Sequence, residues 1–171
     1  EAAVIAHCDL APLDGITKSV FRRVWGRCFG GADRYFIPFF SPTPQHILTP
    51  RDRRELETLS GLHQVPQVMT CRAEDFLWAA ETVKDLGYDE VNLNLGCPSG
   101  TVTAKGKGAG FLAKPEELDR FFGTVFTRSP LPVSVKTRLG IQSPEEFGRL
   151  LEIYNRYPIA CLIIHPRVQK E

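Results

Sequence analysis

The chain has 171 residues, 43% hydrophobic and 24% charged, with a formal net charge of +1. This is enough apolar material for one domain with its own core, and it excludes a disordered chain or a fibrous repeat; near-neutral charge neither announces nucleic-acid binding nor excludes it, since a local basic rim can suffice. The five cysteines, Cys8, Cys28, Cys71, Cys97 and Cys161, are odd in number and nowhere spaced as CxxC. A disulfide framework or a zinc site is therefore not expected, and free thiols suit a reducing cytoplasm. No apolar run approaches the roughly 18 residues of a membrane span, and no signal-peptide pattern stands in the sequence.

The opening segment from Val4 to Ala11 reads as a first strand. Thr17 is placed to cap a helix whose apolar stripe is Val20, Phe21, Val24, Trp25 and Cys28. Tyr35 to Phe40 is an aromatic-rich strand, ended by Ser41 and Pro42. Thr49, Pro50 and Asp52 open a short helix, and Val65 to Met69 is a third strand. The next helix carries Phe76, Leu77, Ala80, Val83 and Leu86 on one face and stops at Gly87. Glu90 to Leu95 follows as a strand in which Val91, Leu93 and Leu95 alternate with asparagines. Pro115, Glu116 and Glu117 start a helix with the stripe Leu118, Phe121, Phe122, Val125 and Phe126; proline and acids suit the free N–H groups there. Leu131 to Val135 is a fifth strand. Ser143 and Glu146 form a capping box ahead of Phe147, Leu150, Leu151 and Tyr154. Cys161 to Ile164 is a sixth, wholly apolar strand.

Strict strand–helix alternation implies a parallel sheet with helical crossovers. A doubly wound nucleotide binder would show a glycine-rich turn after its first strand. The turn here is Ala11-Pro12-Leu13-Asp14-Gly15, which does not fit. The fold class expected is α/β, a TIM-type (β/α)8 barrel with about six of its eight units in this sequence, since a whole barrel takes about 250 residues.

Polar residues gather at the strand ends. Pro12 and Asp14 follow the first strand, and Gln67 lies in the third. Asn94, Gly96, Cys97 and Pro98 end the fourth, Lys136 and Arg138 the fifth, and His165 and Arg167 the sixth. In parallel barrels such ends converge on one mouth, where the active site lies. Each residue alone has a plainer reading. Cys97 could be a structural thiol, Gln67 could bond backbone, Lys136 could point to solvent or be buried with a partner, and His165 could be a satisfied core histidine. The arginines Arg22, Arg23, Arg27, Arg51, Arg53 and Arg54 read as solvated helix faces. Gly100 to Gly110 fails the phosphate-loop pattern and reads as a flexible basic loop over the mouth, whose Lys105 and Lys107 could meet a nucleic-acid backbone.

The ordered segments Ala11-Pro12-Leu13-Asp14-Gly15-Ile16-Thr17, Gln67, Asn92-Leu93-Asn94-Leu95-Gly96-Cys97-Pro98, Gly106-Lys107-Gly108-Ala109-Gly110, Lys136-Thr137-Arg138-Leu139-Gly140 and His165-Pro166-Arg167 match a known pattern. By these the chain resembles the tRNA-dihydrouridine synthases, FMN-dependent (β/α)8-barrel enzymes, over essentially its whole length. The resemblance implies reduction of a uridine in tRNA to 5,6-dihydrouridine, with FMN as cofactor and NADPH as reductant. Hydride goes from the reduced flavin to C6, and Cys97 gives a proton to C5. A thiol with an ordinary pKa of about 8.5 is mostly protonated at neutral pH yet able to release its proton. Lys136 matches the residue near the flavin N1/O2 edge. Gln67 and His165 match flavin contacts, and Pro12, Leu13 and Asp14 match the segment along the ring. Asn94 and Arg138 match positions that hold the target uracil, and tRNA is the implied partner.

The family's further flavin-phosphate loops and its helical tRNA-gripping domain are expected beyond residue 171, so this chain alone is expected to bind flavin weakly and to be inactive. His7, Cys8 and Asp9 depart from the usual apolar first strand. Two other readings are carried. One is a different FMN barrel such as a dihydroorotate-type dehydrogenase. The other is a non-catalytic remnant whose incomplete barrel leaves two strand edges unpaired.

Overall fold

A computed structural model describes residues 7–170. Six strands form one parallel sheet in the order β1 to β6: Asp9–Leu10, Arg34–Phe40, Gln64–Val68, Val91–Leu95, Val133–Gly140 and Leu162–Val168. The helices between them are α1 (Ser19–Cys28), α2 (Pro50–Glu55), α3 (Ala73–Asp85), α4 (Gly100–Thr103), α5 (Pro115–Arg128) and α6 (Phe147–Tyr154). Short 3-10 turns at Gly108–Ala113 and Pro144–Glu146 complete the set. The sheet is curled. In a flat sheet β2 and β6 would lie roughly 19 Å apart, four spacings of about 4.8 Å. Yet Arg34 of β2 reaches the Sγ of Cys161, just before β6, at 3.5 Å. The expected incomplete barrel is therefore the observed architecture, with β1 and β6 as its open edges among the described residues.

Both faces of the central strands are buried, and the alternation in β4 says how. Val91, Leu93 and Leu95 join the core formed with Phe76, Ala80, Val83, Leu118, Phe122 and Val125 of the outer helices. Asn92 and Asn94 bond to side chains of β3 and β5 on the opposite, inner face. In β5 Val133 and Val135 belong to the outer core, and Thr137 bonds the Tyr154 hydroxyl of α6 at 2.9 Å. Ser134, Lys136 and Arg138 are thereby turned inward, since side chains alternate along a strand.

Several local expectations hold. Thr49 and Asp52 form a reciprocal capping box on α2, and Ser143 and Glu146 form another. Gly87 closes α3 with φ +94°. Others are corrected. The fifth and sixth strands run on to Gly140 and Val168, so Lys136, Arg138 and His165 lie within strands rather than at their ends. Of the first strand, residues 1–6 lie outside those described. Thr17 does not cap α1. Its hydroxyl accepts from the Leu13 N–H and donates to the Leu13 carbonyl, and Glu55 takes the Ser19 N–H at the start of the helix instead.

The apolar stripe of α1 is not its buried face. Val20 is 72% and Val24 51% exposed, while Arg22 is fully buried. Arg22 donates to Gln64, to the Thr17 and Glu55 carbonyls and to the Glu55 carboxylate. That set of bonds fixes the rotation of α1, so Arg22 is not part of a solvated face. Leu86 is likewise 43% exposed and outside the core. The stretch from Gly100 to Gly110 is not an open loop. It holds α4 and the start of a buried 3-10 turn.

Candidate active site

A cleft of about 310 Å³ opens at the C-terminal ends of the strands. Pro12, Leu13 and Asp14 line it from the turn after β1, Pro38 and Phe39 from β2, and Gln67 from β3. Asn94, Gly96, Cys97 and Pro98 come from β4 and its turn, Lys136 and Arg138 from β5, and His165 from β6. Every catalytic, cofactor or substrate residue nominated from the sequence thus faces one cleft.

The turn bearing Cys97 is held from two sides. Asn94 Oδ1 accepts from the N–H groups of Gly96 at 3.0 Å and Cys97 at 2.9 Å. The Cys97 carbonyl accepts from the Ala109 N–H at 3.0 Å. Gly108 packs so closely that a Cβ there would stand 2.8 Å from the Cys97 oxygen, and its φ of +56° favours glycine independently. The thiol itself is free and half-buried. Pro98 follows without an N–H and stiffens the turn.

The segment at Pro12 is fixed by Thr17, whose hydroxyl bonds both the N–H and the carbonyl of Leu13. Asp14 is engaged by Arg51 at 2.9 Å, with both side chains largely exposed. Asp14 is the sole carboxylate lining the cleft among the described residues.

Basic groups meet on the opposite wall. Register pairs Asn94 with Lys136 and Arg138 with His165. Arg138 is 8% exposed and donates to the carbonyls of Gly96 at 2.9 Å and Val168 at 2.8 Å, not to a carboxylate. Lys136 is half-buried, and no ion pair or hydrogen bond engages its ammonium among the described residues. Burial and then the neighbouring Arg138 lower its pKa. His165 is held below its ordinary range by burial, then by Arg138, Lys136 and Arg167. It is not a satisfied core histidine. The wall is an electropositive surface with no anion of its own, suited to negative or electron-rich groups.

The chain matches the family model described as dihydrouridine synthase over residues 9–171. This chain belongs to the dihydrouridine synthase family. It is 33% identical over 168 residues to a probable tRNA-dihydrouridine synthase of Staphylococcus epidermidis, covering 95% of this chain and 50% of that protein. A probable tRNA-dihydrouridine synthase of Staphylococcus aureus is 32% identical over the same shares. Probable tRNA-dihydrouridine synthase 1 of a Synechocystis species is 31% identical over 146 residues, covering 83% of this chain and 41% of that protein. The chain spans about half the length of the curated relatives it matches.

Two cleft residues, and several that support the cleft from outside it, were not singled out from the sequence. Pro38 and Phe39 line the cleft, and their place at the end of β2 is the signal that could have found them. Asn92, which stands in the matched segment from Asn92 to Pro98 but was given no role of its own, and Ser134, legible only as a strand residue, are buried beside the cleft without lining it. Gly108 and Ala109 stand in the matched segment from Gly106 to Gly110 but read as loop, and their contact with Cys97 was not legible. Among the described residues no group of His, Cys, Asp or Glu could hold a metal, and no helix is long and apolar enough to cross a membrane.

Proposed function

We propose that this chain is the N-terminal portion of the catalytic barrel of a cytoplasmic, FMN-dependent tRNA-dihydrouridine synthase. The observation that carries the reading is the convergence of Cys97, Gln67, Asn94, Lys136, Arg138 and His165 on one cleft in a member of this family.

The residues fit the cofactor. An ammonium that is half-buried and engaged by no acidic side chain is costly unless a ligand supplies the missing charge. Lys136 would stabilise negative charge on the ring of a bound FMN, with Gln67 and His165 as further contacts and the backbone from Pro12 to Asp14 alongside. When bound and reduced by NADPH, FMN supplies the hydride that adds to C6 of the uracil.

The chain's own residues supply the rest. Cys97 donates its proton to C5. The new C–H bond forms as the S–H bond breaks, leaving a thiolate that bulk solvent reprotonates. The clamp of Asn94 and Ala109 fixes where that thiol is presented, which general acid catalysis requires. Arg138 keeps part of its guanidinium free beyond its two backbone bonds and can anchor the uracil, and the remaining N–H of Asn94 can do the same. Anchors are needed because a base taken out of its stack costs a few kcal/mol.

The test uses a protein of the relatives' full length bearing this chain. It should purify with a flavin absorbance spectrum and form dihydrouridine in tRNA. A colourless protein with no such activity would overturn the reading. The 171-residue chain alone should bind FMN weakly or not at all.

A further inference from the structure

A line of side-chain hydrogen bonds crosses the inner face of the sheet beneath the cleft. Asn94 Nδ2 donates to Gln67 Oε1, Gln67 Nε2 donates to Asn92 Oδ1, and Asn92 Nδ2 donates to Ser134 Oγ, each at 2.8 Å. Asn92 and Ser134 are 0% exposed and Gln67 1%. Gln67, Asn92 and Ser134 share one register across β3, β4 and β5. Only Gln67 and Asn94 of the four reach the cleft.

The direction of this line is forced. The N–H groups of Gly96 and Cys97 can only donate, and both meet one atom of Asn94. That atom must be the amide oxygen. The Asn94 NH2 group then faces Gln67, which must answer with its carbonyl. The Gln67 NH2 group in turn faces Asn92, which must do the same, and the Asn92 NH2 group ends on the Ser134 hydroxyl. Flipping any one amide would set like against like at a buried position, where an unmade hydrogen bond is expensive.

We propose that Asn92 and Ser134 are positioning residues: they lock the amide of Gln67, through it that of Asn94, and so hold the Cys97 turn. Asn94 Oδ1 already accepts from two N–H groups and Gln67 Oε1 from one, and one N–H remains on each amide. Lys136 and Arg138 beside them can also only donate. The side chains of the floor therefore offer more donors than acceptors and suit a ligand edge rich in acceptors, such as the carbonyl oxygens and ring nitrogens of a flavin or a uracil. That selectivity rests on the function proposed above, whereas the locking of Cys97 does not.

The experiment is the alkylation rate of Cys97 by iodoacetamide, read peptide by peptide by mass spectrometry in cofactor-free protein. The exposed Cys8 and Cys28 serve as internal controls. Asn92→Leu keeps the volume and removes both bonds. It should raise the Cys97 rate about fivefold, the scale of coupling within one hydrogen-bond network, and leave Cys8 and Cys28 unchanged. Asn92→Asp gives a distinguishing signature. A neutral carboxylic acid can accept from Gln67 and donate to Ser134, so at low pH its Cys97 rate should equal that of wild type. The rate should depart from wild type at the same pH once the acid ionises.

A folded Asn92→Leu protein with an unchanged Cys97 rate would overturn the proposal. So would an Asn92→Asp protein that differs from wild type equally at every pH. Should Asn92→Leu fail to fold, Ser134→Ala carries the test. It should raise the rate in the same direction but less, and Ser134→Thr should restore it; no change in Ser134→Ala overturns the proposal. If FMN fails to bind the full-length wild-type protein, the flavin reading fails while the alkylation result stands.

Discussion

The two ends of the sheet's inner face handle charge in opposite ways. At the N-terminal end Arg34 has both sides of its guanidinium filled. It donates to Asp9 at 3.2 and 2.7 Å and to the two oxygens of Glu90 at 3.1 and 3.0 Å. Asp9 thus replaces an apolar first-strand residue because it is the anion that Arg34 needs. At the C-terminal end Lys136, Arg138 and His165 converge without a carboxylate partner. One end pairs its cation with carboxylates and ties β1, β2 and the approaches to β4 and β6 together. The other leaves its basic groups without an acidic partner, as the proposed binding of a ligand there requires. This is the division of labour of parallel barrels, with stability at the bottom and chemistry at the top.

The largest expected effect is at the mouth. Cys97→Ala should cut uridine reduction by about 10²- to 10⁴-fold, the usual worth of a positioned proton donor, while leaving the flavin spectrum in place. Dihydrouridine content of tRNA measured beside the visible spectrum checks both halves. An active variant would move the acid elsewhere and break the comparison.

Next comes the closed end. Arg34→Met leaves Asp9 and Glu90 facing each other without their cation. Removing one member of a buried pair costs about 3–5 kcal/mol. The three side chains here are 12–17% exposed, so a loss of roughly 2–3 kcal/mol in denaturant unfolding is expected. No loss would mean that this end does not hold the fold.

A smaller effect concerns pH. An unfolded histidine takes its proton near pH 6.5, whereas folded His165 resists it to lower pH because of burial and the cations beside it. Between those two values the unfolded state binds more protons. Stability should therefore fall as pH drops through that interval and show no further loss from this group below it. NMR titration should place His165 below the ordinary value, and Lys136→Met should move it upward. A titration at the ordinary value would show that the mouth is not electropositive.

Much of this was legible in the sequence, and what was not has physical causes. The alternation of Val91, Leu93 and Leu95 with Asn92 and Asn94 gave the strand, and strand-end rules placed Cys97, Lys136 and His165 at one mouth. Thr49 and Ser143 were readable as caps because capping is local. Arg22 was not, because an arginine among arginines looks solvated until Gln64 and Glu55 are brought to it by tertiary packing. The α1 stripe failed for the same reason, since period alone does not say which side of a helix meets a neighbour. Strands five and six were cut short because Lys136, Arg138 and His165 interrupt the apolar run, although polar side chains belong inside the end of a barrel that binds a ligand.

The claim that the mouth keeps its charge for a ligand meets its sharpest test in Lys136→Met, made in a protein of the relatives' full length. Thermal unfolding and FMN titration are to be run side by side with wild type. Without FMN the variant should be as stable as wild type or more so, since a half-buried cation engaged by no acidic group is replaced by an apolar side chain of similar length. With FMN it should bind about tenfold more weakly, or roughly 1.4 kcal/mol, and gain correspondingly less thermal stability. A variant that is destabilised without FMN, as Arg34→Met should be, and that binds FMN as wild type does would contradict the account.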